Sequence, residues 1–183
     1  MVYLAGDIGV GGGVFVDGRP LVGAGGYGGE VGHMRVNPDG HTCRCGARGC
    51  WETEIGYAAL ARAAGDAASD GLGGLLERVE SGDEVALEAF ARVADWLGIG
   101  LVNLVNMLNP QSIVLGGHLG AVYAVAGERV QAQLASALPA ARDQVRITSS
   151  ELGGDATLIG ASEVAFSTLL EDPVGLLRDS AAS

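Results

Sequence analysis

The chain has 183 residues, 48% of them hydrophobic and 18% charged, which suffices for one substantial buried core and excludes a disordered chain. A formal net charge of −11 with no lysine at all excludes nucleic-acid binding by this segment itself, because phosphate contact needs clustered basic residues. No apolar run reaches the roughly 18 residues of a membrane span and no basic-then-apolar leader opens the chain, so with three unpaired-type cysteines a cytoplasmic protein without membrane contact is expected.

Residues 2–8 read as a strand, Gly9–Gly13 as a tight glycine-rich turn, Val14–Val16 as a second strand and Leu21–Gly23 as the start of a third, after the turn residues Asp17-Gly18-Arg19-Pro20. An antiparallel β-meander results. Its first hairpin could cradle a phosphate with backbone N–H groups, although a flexible turn would need the same residues. The 31 glycines, concentrated before position 50, are too many for ordinary turns and imply backbone brought close to something, or positive φ.

After the loop Gly23–Gly29 comes Glu30-Val31-Gly32-His33, then a turn at Asn37-Pro38-Asp39-Gly40, then Cys43-Arg44-Cys45-Gly46-Ala47-Arg48-Gly49-Cys50-Trp51-Glu52. All three cysteines fall within this last run. Cys43 and Cys45 are too close in sequence for an unstrained bridge, and an odd count argues against a disulfide framework. One imidazole and three thiolates at these spacings can close a tetrahedral zinc site. His33 is the favoured nitrogen ligand; His41 is the rival, but it leaves His33 and its Gly-rich approach unexplained. Glu30 and Glu52 flank the ligands and are not needed by the metal, so the zinc loop, 30–52, is expected to present them to a ligand.

Thr53–Ala64 reads as a helix closed by Gly65, and Leu72–Glu80 as a shorter one. Apolar residues at Ala86, Phe90, Val93, Leu97, Leu101, Leu104 and Leu108 give steps of three and four, predicting a long helix from Asp83 to Leu108 that Pro110 stops. Gly98 and Gly100 inside it are expected where the helix approaches a sheet closely. Ser112–Gly117 is a buried strand, 121–138 a helix, Val145–Ser149 a strand and 155–170 a last helix, leaving a frayed or disordered tail, 172–183. Strands alternating with helices after a meander indicate an α/β layered domain over 1–171.

Glu30-x-Gly32-His33 followed by Cys43-x-Cys45-Gly46-x-x-Gly49-Cys50-x-Glu52 resembles the signature of the ROK family (repressors, open reading frames and sugar kinases). Gly9-Val10-Gly11-Gly12-Gly13-Val14 and Ile113-Val114-Leu115-Gly116-Gly117 stand where that family has its phosphate- and adenosine-contacting loops, so the resemblance covers nearly the whole chain. It implies an actin-like, ribonuclease-H-like lobe, the second of two. It also implies zinc held by His33, Cys43, Cys45 and Cys50, sugar hydroxyls contacted by Glu30, His33 and Glu52, and a homo-oligomer. Nucleotide-contacting positions carried over from the family are Gly9, Gly11, Gly116 and Gly117.

Two functions compete under that resemblance. A sugar kinase transfers the γ-phosphoryl of ATP with Mg²⁺ and needs a base to orient the acceptor hydroxyl. The family's aspartate base and its Asp-x-Gly phosphate loop belong to the first lobe, upstream of this chain. In the second lobe's Gly-Thr-Gly-x-Gly loop, Asp7 replaces a glycine and Ile8 the threonine. A carboxylate there repels phosphate and isoleucine offers no hydroxyl. These departures favour the other branch, the sugar-sensing domain of a transcriptional regulator, which would reach DNA through an N-terminal winged helix-turn-helix outside this chain.

Overall fold

A computed structural model describes residues 1–172 and 174. Its contacts divide the chain into two units, Met1–Ser150 and Glu151–Ser183. The first is built on a five-stranded sheet of β1 (Val2–Gly6), β2 (Val10–Val16), β3 (Arg19–Pro20), β4 (Ser112–Gly117) and β5 (Arg146–Ser149), in the order β3-β2-β1-β4-β5. The meander pairs are antiparallel, whereas β4 joins β1, and β5 joins β4, in parallel. This mixed sheet with helical connections is the actin-like arrangement. Alternation sets its faces: Val2, Leu4, Val10, Val14, Ile113 and Leu115 are buried, while Tyr3, Ala5 and Val114 between them are half-buried.

The helices are α1 (Trp51–Ile55), α2 (Tyr57–Ala64), α3 (Gly71–Glu80), α4 (Glu84–Leu108), α5 (His118–Leu134) and the short α6 (Pro139–Arg142). α4 follows its sequence signals closely. The Asp83 carboxylate accepts from the Ala86 N–H at 3.0 Å, Asn109 closes the helix in the left-handed conformation, and Phe90, Val93, Leu97, Leu101 and Leu104 are all buried.

Several expectations are corrected by close backbone approaches. Gly11–Gly13 lie inside β2, paired with Ala5, Leu4 and Tyr3, and the turn is at Asp7–Gly9. Gly12 is a strand glycine because another segment crosses it: a Cβ there would meet the Gly29 carbonyl at 2.8 Å, and one on Gly32 of that segment would collide with the Val10 carbonyl. The third strand is Arg19–Pro20 rather than Leu21–Gly23. Pairing stops because Gly23 takes φ +73° and the Gly28 N–H bonds the Val22 carbonyl at 2.7 Å, turning the chain back.

The helix expected over 53–64 breaks at Gly56, whose extended backbone separates α1 from α2; a Cβ there would sit 2.6 Å from the Glu52 carbonyl. Gly65, φ +57°, ends α2 where the sequence placed a cap. Gly98 and Gly100 serve helix packing, not helix–sheet approach: the first admits Gln133 of α5 and the second the Trp51 ring, whose Nε1 donates to the Trp96 carbonyl at 2.8 Å. α5 begins at His118 instead of 121, because Gly117 at φ +61° reverses the chain directly after β4, and it ends at Leu134.

The second unit holds α7 (Ala156–Ala165) and α8 (Ser167–Glu171), the expected single helix interrupted at Phe166. Leu158, Val164 and Phe166 are exposed there. The frayed tail expected over 172–183 lies outside the described residues, apart from Asp172 and Val174. Among the described residues no helix is long and apolar enough to cross a membrane.

His118, at the start of α5, is buried, and its Nε2 lies 2.7 Å from the Ile55 carbonyl. Burial holds its pKa below the ordinary value, and the Ile55 and Gly6 carbonyls offset only part of that. The unfolded ring takes up a proton near pH ~6.5 while the folded ring does not. The unfolded state therefore binds more protons below that pH, and stability is lost as pH falls below about 6.5. Urea midpoints measured across this window should drop for the native chain and drop less for His118→Gln.

Candidate metal and ligand site

The loop that carries the cysteines is held almost entirely by backbone. Val31–His33 form one 3-10 turn laid against β2, with Glu30 just before it. The Trp51 N–H bonds the Met34 carbonyl at 2.7 Å, the Val36 and Asn37 N–H groups share the Gly49 carbonyl at 2.9 and 3.2 Å, and the Gly49 N–H bonds the His41 carbonyl at 2.9 Å. A tight knuckle follows: the Cys43 N–H bonds the Ala47 carbonyl at 2.7 Å and the Gly46 N–H returns to the Cys43 carbonyl at 3.0 Å. Gly46 and Gly49 take φ of +91° and +75°, which a side chain would resist. Cys50 then caps α1.

This path gathers the ligand atoms of His33, Cys43, Cys45 and Cys50 within 4.8 Å of one another. Cys43 Sγ is 3.7 Å from His33 Nδ1, and the Cys45 and Cys50 sulfurs are 3.6 Å apart. A tetrahedral site with metal–sulfur bonds of about 2.3 Å and metal–nitrogen bonds of about 2.0 Å has edges of roughly 3.5–3.8 Å. Two edges already match, and the cluster could hold a metal ion once its longer separations, up to 4.8 Å, draw in. The Cys45 N–H also points to Cys43 Sγ at 3.5 Å, the kind of outer contact that steadies a thiolate ligand. His41 is not in the cluster; its side chain lines cavities beside it.

Burial pushes the Cys43 thiol up to about 12, with the Glu52 carboxylate beside it acting in the same direction, and burial also raises Cys50. The Ala47 N–H lowers the exposed Cys45. No disulfide joins the cysteines.

The carboxylates flank this cluster. Glu52 is 8% exposed; its Oε1 lies 2.9 Å from Cys43 Sγ, which donates to it, and 3.7 Å from His33 Nδ1. Its Oε2 is 3.8 Å from an Arg44 nitrogen. Glu30 is open to solvent at 60%, and its Oε2 lies 3.7 Å from His33 Nε2. Thus Nδ1 of His33 faces the sulfurs while Nε2 faces outward with Glu30. A cavity of about 330 Å³ beside Glu52 is lined by Ile8, Cys43, Arg44 and Arg62 as well as His41. Sequence reasoning marks Ile8 only as a departure in the phosphate loop and does not single out Arg62, on a helix without a motif.

Of the four glycines expected to contact a nucleotide, Gly11 alone faces open space. A Cβ on Gly9 would meet Glu52 Oε2 at 2.7 Å, one on Gly116 would collide with the Tyr3 hydroxyl, and one on Gly117 with the Gly6 carbonyl.

A family model described as ROK family matches residues 1–167. The chain belongs to the ROK family. Among ROK relatives, a glucokinase of Halalkalibacterium halodurans is 32% identical over 178 residues, covering 87% of this chain and 54% of that protein. A xylose repressor of Bacillus spizizenii is 27% identical over 173 residues, covering 93% of this chain and 45% of the repressor. The crystal structure of a ROK glucokinase from Streptomyces griseus in complex with glucose and AMPPNP superposes with a TM-score of 0.78 at 28% identity, covering 89% of this chain and 59% of that one. The chain thus spans about half the length of the relatives it matches, and ROK kinases and ROK repressors both stand among them.

Proposed function

We propose that this chain is the sugar-recognising lobe of a ROK transcriptional regulator, with a structural zinc ion held by His33, Cys43, Cys45 and Cys50. The observation that carries the reading is the two-sided placement of His33. Nδ1 turns to the sulfurs and Nε2 turns outward, 3.7 Å from Glu30, while Glu52 lies on the cluster's flank. Zinc fixes the ring, and its outer nitrogen and two carboxylates are left for hydroxyl groups. A carboxylate accepts two hydroxyl hydrogen bonds at once, and charge-assisted bonds are the stronger kind. Sugar held by Glu30, His33 and Glu52 would shift the whole protein between DNA-binding and non-binding arrangements only through unequal affinity for the two. A winged helix-turn-helix preceding the lobe would make the DNA contact, and a homo-oligomer would present it in pairs.

Ile8, 79% exposed next to Asp7 in the β1–β2 turn, supports the regulator over an enzyme. Neither side chain suits a phosphate, and packing accounts for Gly9, Gly116 and Gly117 without a nucleotide. The second reading is half of an ATP- and Mg²⁺-dependent sugar kinase; it is favoured by the likeness to glucokinases. Full-length protein containing this lobe decides between them in two assays. Sugar-dependent change in operator binding by gel shift, without sugar-dependent ADP release, is the expected outcome. ADP release that requires sugar would overturn the regulator in favour of the kinase.

A further inference from the structure

A separate cavity of about 380 Å³, within the range of small-molecule sites, is lined by His41, Glu54, Arg62, Arg92 and Trp96, its remaining wall being alanine and valine. Its polar groups come from four places: the metal loop, α1, the last turn of α2 and the middle of α4. In a chain with net charge −11, neither guanidinium forms an ion pair with a carboxylate among the described residues. Arg62 is steadied instead by one bond to the Thr53 carbonyl at 2.7 Å, which leaves its other N–H groups available. Glu54, only 9% exposed, is held by contact with Gly40, where any side chain would collide with its Oε1; the Thr53 hydroxyl 3.3 Å away donates to the Cys50 carbonyl at 2.7 Å instead.

The lining therefore offers a surplus of donors, two guanidiniums and an imidazole, against a single held carboxylate, with Trp96 supplying an apolar ring. A neutral sugar would satisfy Glu54 and leave the arginines in water. A bare anion would satisfy the arginines and be repelled by Glu54. A small anion that also carries hydroxyls satisfies both.

We propose that this cavity is a second ligand site, taking a hydroxylated anion such as a phosphorylated sugar or a sugar acid, with its charged end on Arg62 and Arg92 and a hydroxyl on Glu54. The anionic class stands on these residues alone; the choice of a sugar as the carrier rests on the reading above. His41 and Arg62 line both this cavity and the one beside Glu52, so the two sites share a wall.

Calorimetric titration of the chain with glucose 6-phosphate, gluconate, inorganic phosphate and glucose tests this. Glucose 6-phosphate or gluconate should bind, whichever is tighter naming the anionic group. Arg92→Met and Arg62→Met should each weaken that binding about tenfold or more. Arg92 is exposed and outside the metal loop, so its variant keeps the fold, verified by circular dichroism and metal content. Glu54→Gln should weaken the sugar anion while sparing inorganic phosphate. No heat from either sugar anion, equal affinity in the native chain and Arg92→Met, or glucose displacing the anion would each overturn the proposal. Inorganic phosphate binding as tightly as both sugar anions would do so too, by removing Glu54 from recognition. Glucose affinity compared between native chain and Glu52→Gln reports on the other site separately.

Discussion

Cys45→Ser is expected to empty the metal site and lower the melting temperature of the whole Met1–Ser150 unit. The hydroxyl that replaces the thiol is a poor zinc ligand at neutral pH, and three ligands remain where four closed the tetrahedron. Changes to mere outer contacts of metal ligands cost about 10–100-fold in affinity, so loss of a ligand itself should exceed ~100-fold. The destabilisation spreads because the knuckle leads into Cys50, the cap of α1, and α1 carries the buried Trp51 bonded to the Trp96 carbonyl. A cost of about 3 kcal/mol, or roughly 6–12 °C for a unit of this size, is expected. Atomic absorption and calorimetry check this together: one zinc per native chain, none in the variant, and chelator reproducing the shift only in the native protein. His33→Ala should behave alike, whereas His41→Ala should keep its metal. Unchanged zinc in Cys45→Ser would contradict the ligand assignment.

Glu52→Gln should retain zinc and lose sugar. The side chain is nearly buried and stands between Cys43, His33 and Arg44, so its amide replacement keeps the shape but not the charge. A hydrogen bond to a charged group contributes about 1.5–3 kcal/mol against about 0.5–1.5 for a neutral one, which puts the loss near ~1–2 kcal/mol, or roughly 5–30-fold in sugar Kd. Titration of the full-length protein, with metal content measured on the same sample, separates the two effects. Equal sugar affinity in native and variant would remove Glu52 from recognition; lost zinc would make it a metal-site residue instead.

The parts of this structure written in the sequence are those governed by local rules. The three-and-four spacing from Ala86 to Leu104, the Asp83 cap and Pro110 fix α4 to within a residue. Cysteine and histidine spacing leaves His33 and His41 as rivals with His33 favoured, and the fold brings His33 within 4.8 Å of the three sulfurs. What escaped depends on partners far away in the chain. Nothing in Gly-Val-Gly-Gly-Gly says that the Gly29–Gly32 backbone will lie across it, so a strand looks like a turn. Gly100 is legible only once Trp51 is known to fill its place, and Gly56 only once the Glu52 carbonyl is known to press on it. Arg62 and Arg92 sit on different helices and belong to no motif. Their one available signal was chemical: guanidiniums on helices of a strongly acidic, lysine-free chain.

The seam where Gly12, Gly29 and Gly32 meet main chain to main chain sets how far Glu30 stands from the sheet. That spacing is set by backbone on backbone, with the Val31 side chain wedged beside Gly12. A single methyl at the seam would collide with main chain and push the Glu30 turn away from the sheet, so this register tolerates no side chain larger than hydrogen.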